Sequence, residues 1–88
     1  MEFIKYVLRT VAQYYDEGYS EPNCIADAVS CDVSPDEVRN EIKKYMKENP
    51  KATEKQANVQ VAYNLGLICT QGYEMAVRNL KKSGQWVK

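Results

Sequence analysis

The stretch from Val33 to Met46 constrains the fold of this sequence more than any other. Ser34 and Glu37 have the spacing of a capping box, in which the serine hydroxyl caps the first turn and the glutamate reaches back to the serine N–H. Pro35 stands at the first helical position, where its missing N–H costs nothing. Apolar residues then recur at helical spacing, namely Val38, Ile42, Tyr45 and Met46. The stretch therefore predicts a helix from about residue 35 to about residue 48.

Further helices are predicted on both sides of this one. A wide apolar face over residues 2–16, followed by Gly18 as a left-handed C-terminal residue, indicates a first helix. Ser20 is a cap candidate for a short helix over residues 21–30. Thr53 begins a second capping-box pattern, TEKQ, which predicts that another helix starts there.

Gly66 leaves two interpretations of the chain that follows Thr53. In one, Leu65 to Leu67 form a turn and a last helix runs from about Thr70 to Lys82. In the other, a single helix runs from Glu54 to Lys82, since no proline intervenes. Glycine costs about 1 kcal/mol inside a helix, which favours the break. Either way, the pattern predicts an all-α fold, a compact bundle of four to five short helices with helix-turn-helix-like elements.

Length and composition fit one small domain that spans residues 1–88. The chain is 44% hydrophobic and 27% charged, which is ordinary for a globular protein. No apolar run reaches the length of a membrane span, so we expect no membrane association. The N-terminus lacks the layout of a signal peptide, and we therefore expect a cytoplasmic protein.

The inventory of reactive side chains argues against an enzyme. The chain has three cysteines and no histidine, so neither a zinc site nor a cysteine–histidine pair can be assembled in the usual way. Cys24, Cys31 and Cys69 are expected to be small, half-buried hydrophobic residues. No glycine-rich phosphate loop or paired-carboxylate motif is present. We expect no catalytic residues, no bound metal and no cofactor.

Charge is unevenly distributed along the chain although the formal net charge is zero. Residues 1–37 carry two basic and eight acidic side chains, a formal charge of −6, whereas residues 38–88 carry ten basic and four acidic side chains, a formal charge of +6. Such asymmetry suggests a surface that faces a polyanion. It is equally compatible with pairing of the two parts, within the fold or between copies.

The run AYNLGLICTQGYEMAVRNLKKSGQW resembles the second half of a helix-turn-helix or winged-helix unit. In that superfamily a helix ends in a Leu-Gly turn, and a recognition helix with inward apolar residues follows. The residues at the corresponding positions here are Leu65, Gly66, Tyr73, Val77, Leu80, Gly84 and Trp86. The segment from Ile25 to Tyr45 is similar to a helix-turn-helix as well. The resemblance implies a small protein that binds double-stranded DNA, for example a transcriptional regulator.

A recognition helix presents its outward N-terminal residues to the major groove. In the earlier segment these would be Pro35, Asp36 and Glu37, whose carboxylates would repel phosphates. The later segment would present Thr70 and Gln71, with basic residues further along. The predicted DNA-binding residues are therefore Thr70, Gln71, Arg78, Lys81, Lys82 and Lys88.

An alternative function follows from the aromatic composition. Seven tyrosines stand against one phenylalanine and one tryptophan, and Tyr14, Tyr15 and Tyr19 are clustered. Tyrosine is favoured where an apolar body meets water, as at protein interfaces. These three residues are the predicted interface of a small helical interaction module. It would act as a homodimer or, like a phage-type inhibitor, by binding and blocking a larger protein partner.

Overall fold

A computed structural model describes residues 2–19 and 33–87 of the chain, and the regular structure in these two ranges is helical. The described helices are α1 (Glu2–Ala12), α2 (Pro35–Glu48), α3 (Glu54–Asn64) and α4 (Thr70–Lys82). The all-α class predicted from the sequence is confirmed. The predicted short helix over residues 21–30, its cap Ser20 and two of the cysteines, Cys24 and Cys31, lie outside the described residues.

The predicted N-terminal caps of α2 and α3 are confirmed. The Ser34 hydroxyl accepts a hydrogen bond from the Glu37 N–H at 3.1 Å. The Thr53 hydroxyl accepts one from the Gln56 N–H, also at 3.1 Å. Each bond satisfies one of the N–H groups that have no partner within their own helix. Both helices therefore begin where their local sequence predicts.

The first helix is shorter than its apolar pattern predicts, because it ends at Ala12 and not near Asp16. Beyond it, Tyr14 N–H bonds the carbonyl three residues earlier at 3.0 Å, which tightens the chain into turns. Gly18 has the predicted positive φ, +86°, but within a later turn. Two hydrogen-bond partners on α4 hold the Asp16 carboxylate outside the helix. A carboxylate is also unfavourable at a helix C-terminus.

The central element is α3, which packs against each of the other three described helices. It is buried around most of its circumference, as expected for a helix in the middle of a core. Its buried residues are Gln56, Ala57, Asn58, Val59, Val61 and Ala62. By contrast, α2 buries only Val38 fully. The strongest sequence signal therefore belongs to a peripheral helix, and the more weakly patterned α3 organises the core.

The break at Gly66 is confirmed, and it has the geometry of a Schellman motif. Leu67 N–H bonds the Ala62 carbonyl at 2.8 Å, and Gly66 N–H bonds the Tyr63 carbonyl at 3.1 Å. These bonds require a left-handed residue after the helix, and Gly66 supplies it at a φ of +74°. The chain therefore turns over residues 65–69 before α4 begins.

The end of α4 repeats this motif and directs the tail back over α3. Gly84 has a φ of +75°, and Gln85 N–H bonds the Leu80 carbonyl at 2.9 Å. The Gln56 side chain, 1% exposed, then holds the tail. It donates to the Val87 carbonyl at 2.5 Å and accepts from the Val87 N–H at 2.6 Å. One carboxamide thus binds both polar groups of a single extended residue.

Candidate nucleic-acid interface

The helix α4 divides into a buried side and an exposed side. Gly72, Met75, Ala76 and Leu80 are buried against the core. The exposed residues are Thr70, Gln71, Glu74, Arg78, Lys81 and Lys82. At 3.6 residues per turn, these six positions fall within an arc of about 120°. The structure therefore brings five predicted DNA-binding residues onto one surface, here called the α4 face, together with Glu74. Lys88 lies outside the described residues.

The position of Arg78 on the α4 face is fixed by Asp16, a partner that the sequence did not suggest. The two side chains form an ion pair and are each about half exposed. Asn79 completes the contact by donating to the other Asp16 carboxylate oxygen at 3.2 Å. The Arg78 and Asn79 hydrogen bonds hold the pKa of Asp16 below its ordinary value, and Asp16 raises the pKa of Arg78. This contact ties the turn after α1 to α4.

We expect Asp16→Asn to destabilise the protein at neutral pH and to have little effect in acid. Because folding lowers the pKa of Asp16, its contribution to stability is present above the ordinary value of 3.8. It is lost as the pH falls through the lowered pKa of the folded state. Urea unfolding of both proteins at about pH 6 and about pH 2 measures this difference. An equal difference at both pH values would contradict the pairing.

An apolar depression of about 540 Å³ borders the basic residues. Among the described residues it is lined by Tyr73, Glu74, Val77, Arg78, Lys81 and Lys82. The Tyr73 ring stacks on Tyr63 with centroids 4.1 Å apart, and its hydroxyl donates to the Gln60 carboxamide at 2.6 Å. Partial burial raises the pKa of Tyr73. The three cations of the α4 face therefore border a positioned aromatic side chain.

The N-cap of α4 is Cys69, which no pattern in the sequence predicts as a cap. Cys69 is exposed, so the sequence-based expectation of a half-buried residue is wrong for this cysteine. Its sulfur accepts a hydrogen bond from the Gly72 N–H at 3.4 Å and lies 3.2 Å from the Tyr19 hydroxyl. As the N-cap residue, Cys69 thus satisfies one of the N–H groups at the start of α4 that have no partner within the helix.

The three tyrosines of the predicted interface are partly buried within the fold. Tyr14, Tyr15 and Tyr19 are all half-buried, and the first two pack against the hydrophobic core. Tyr15 and Tyr19 make an edge-to-face contact with centroids 5.1 Å apart. Among the described tyrosines, Tyr6 is the exposed one, at 53%. The three predicted residues therefore lie together but offer a partner only part of their surfaces.

A second group of cations lies on α2, away from the α4 face. Lys43, Lys44 and Lys47 are exposed there, and α2 does not touch α4. Arg39, on the same helix, is held by Asp36 at 3.3 Å and lies 4.4 Å from the centre of the Phe3 ring. The three α2 lysines are therefore a matched set for experiments on the three α4 cations.

No family model matches this chain, and comparison with curated proteins and with solved structures gave no match. None of the described helices is long and apolar enough to cross a membrane. Over the described ranges, no group of three or more histidine, cysteine or acidic residues is placed to hold a metal ion. The α4 face is therefore the feature from which a function can be inferred.

Proposed function

We propose that this protein binds double-stranded DNA through the α4 face and acts as a small regulator of transcription. The observation that carries the proposal is the shared exposure of Arg78, Lys81 and Lys82 on one side of a helix whose other side is buried. Because one side of α4 packs on the core, its other side can enter a DNA groove without a change in the fold. Lysine and arginine provide the contacts to phosphate on which most DNA affinity depends.

The roles on the α4 face follow from its chemistry. Thr70 and Gln71 are exposed at the N-terminal end of α4, where a recognition helix meets base edges. Glutamine pairs with adenine through two hydrogen bonds, and threonine can contact several bases. Lys81 and Lys82 lie in the last turn of α4, where they neutralise phosphates. Glu74 lies between the two groups and opposes binding, so the affinity is expected to be modest and strongly dependent on salt.

The test compares two triple variants that each remove three positive charges. Arg78→Ala with Lys81→Ala and Lys82→Ala should weaken binding to a fluorescent duplex at low salt by more than about tenfold. Lys43→Ala with Lys44→Ala and Lys47→Ala removes the same charge from α2 and should have a much smaller effect. Fluorescence anisotropy measures both. Equal losses in the two variants would show that only overall charge matters and would refute the α4 site.

Because Arg78 also pairs with Asp16, loss of fold must be separated from loss of binding. Lys81→Ala with Lys82→Ala leaves that pair in place and removes only exposed charges. We expect this double variant to keep the circular dichroism and unfolding midpoint of the wild type while it loses DNA affinity. Unchanged DNA affinity in the double variant would refute the assigned phosphate contacts.

The apolar depression beside the basic residues favours a second candidate, a protein-interaction module. Tyr73 and Val77 supply apolar surface next to three cations, a combination that suits an amphipathic acidic segment of a partner or of a second copy. Light scattering discriminates between the candidates. A stable dimer or hetero-complex that Val77→Asp dissociates, in a protein without affinity for DNA, would replace the first proposal with the second.

A further inference from the structure

A separate cleft of about 360 Å³ lies between α1 and the first half of α3. Its described lining residues are Tyr6, Thr10, Gln13, Thr53, Glu54, Lys55, Asn58 and Gln85. Unlike the depression on α4, it is lined mainly by hydroxyl and carboxamide groups. One acidic and one basic residue at its edge leave it without a net charge. Its volume is at the lower end of the range for small-ligand pockets.

Asn58 is the most deeply buried residue that lines this cleft, at 2% exposure. Its carboxamide makes no hydrogen bond within the described residues, although burying such a group unpaired costs about 1–3 kcal/mol. Over the same residues, every fully enclosed side-chain polar atom has a partner. The small accessible part of Asn58 must therefore include its amide, and the space that it faces is the cleft.

The neighbouring Gln56 shows what a buried carboxamide on α3 can bind. Its oxygen accepts the Val87 N–H at 2.6 Å while its nitrogen donates to the Val87 carbonyl at 2.5 Å. Asn58 offers the same donor and acceptor pair, two residues further along the helix. Thr10 and Gln13 on the opposite wall add further hydrogen-bonding groups. An extended peptide residue presents the N–H and carbonyl that such a pair requires.

We propose that this cleft binds a short extended peptide segment of a partner protein, with Asn58 pairing both polar groups of one backbone residue. The available volume admits only small side chains, and the balanced charges at the edge favour uncharged ones. The site is distinct from the α4 face, so its occupation requires no DNA. It would let the protein carry a partner while the α4 face is engaged.

The test is a titration of the ¹⁵N-labelled full chain with the blocked tripeptide acetyl-Ala-Ala-Ala-amide, without DNA. The side-chain amide signals of Asn58 should shift and saturate with a dissociation constant of about 1 mM or weaker, as expected for so small a ligand. Asn58→Leu keeps the branched shape of the side chain, although leucine is larger, and removes the hydrogen-bonding groups. Followed through the backbone amide signals of the residues that line the cleft, this variant should bind the tripeptide at least about fivefold more weakly, which is about 1 kcal/mol.

Several results would overturn the proposal. Shifts of Asn58 that never saturate would mean that the cleft holds only water. Unchanged affinity in Asn58→Leu would place the peptide elsewhere. A saturating response to methyl glucoside, with none to the tripeptide, would identify a sugar site. If Asn58→Leu does not fold, the exposed wall residue Gln13 provides the second variant, and unchanged affinity in Gln13→Ala would be equally decisive against the proposal.

Discussion

Replacing Leu80 with alanine is expected to lower the free energy of unfolding by about 3–5 kcal/mol. Leu80 is fully buried in the core, at 0% exposure, and α4 reaches that core through few large side chains. The substitution removes apolar contacts and leaves a cavity that rigid neighbouring helices cannot fill. Small domains have a total stability of about 5–15 kcal/mol, so a large fraction of it would be lost. Urea unfolding monitored by circular dichroism measures the change.

The matched control is Lys81→Ala on the next residue. Lys81 is exposed, and its replacement by a good helix former should change the free energy of unfolding by no more than about 0.5 kcal/mol. A loss below about 1 kcal/mol for Leu80→Ala would mean that α4 does not pack on the core through Leu80. The side of α4 assigned to solvent would then be wrong as well.

Replacing Gln56 with alanine should release the C-terminal tail and lower the free energy of unfolding by about 2–4 kcal/mol. The change removes two hydrogen bonds to Val87 and a third, at 2.8 Å, to the Tyr45 hydroxyl. It also leaves a cavity at the start of the central helix. Trp86, the one tryptophan in the chain, lies in the tail beside Tyr73 and reports directly on its release. Its fluorescence emission should shift to longer wavelength.

A control for the contact between Gln56 and Val87 exists on the same helix. Gln60 is also a glutamine of α3, but its side chain bonds Tyr73 and Asn64 and makes no hydrogen bond to the described residues of the tail. Gln60→Ala should therefore leave the Trp86 emission close to that of the wild type. An unshifted emission in folded Gln56→Ala would show that other contacts hold the tail. The role assigned to Gln56 would then be refuted.

Local signals in the sequence predicted most helix boundaries correctly. The caps at Ser34 and Thr53 and the break at Gly66 depend on the chemistry of adjacent residues, and all three are confirmed. Such signals are reliable because the hydrogen bonds involved connect residues a few positions apart. The end of α1 that the sequence predicts near Asp16 is wrong, because Asp16 is drawn into contacts with α4, 62 residues away in the case of Arg78.

The functions of buried polar residues could not be read from the sequence. The TEKQ pattern predicts Gln56 to be a capping residue, yet its side chain is buried and holds Val87. No pattern in the sequence predicts a role for Asn58. Both residues interrupt the apolar pattern of α3, which is why the central helix looked weaker than α2. For the α4 face, periodicity predicted which side would be exposed, but the partner of Arg78 required the tertiary structure.

The decisive measurement for the α4 face is the salt dependence of duplex DNA binding. If the α4 face neutralises two to three phosphates, the logarithm of the association constant of the wild type should fall with the logarithm of salt concentration with a slope of about −2 to −3. Lys81→Ala with Lys82→Ala should reduce that slope by about two. Duplex binding that is absent at low salt, or a slope that this variant leaves unchanged, would contradict the proposed function.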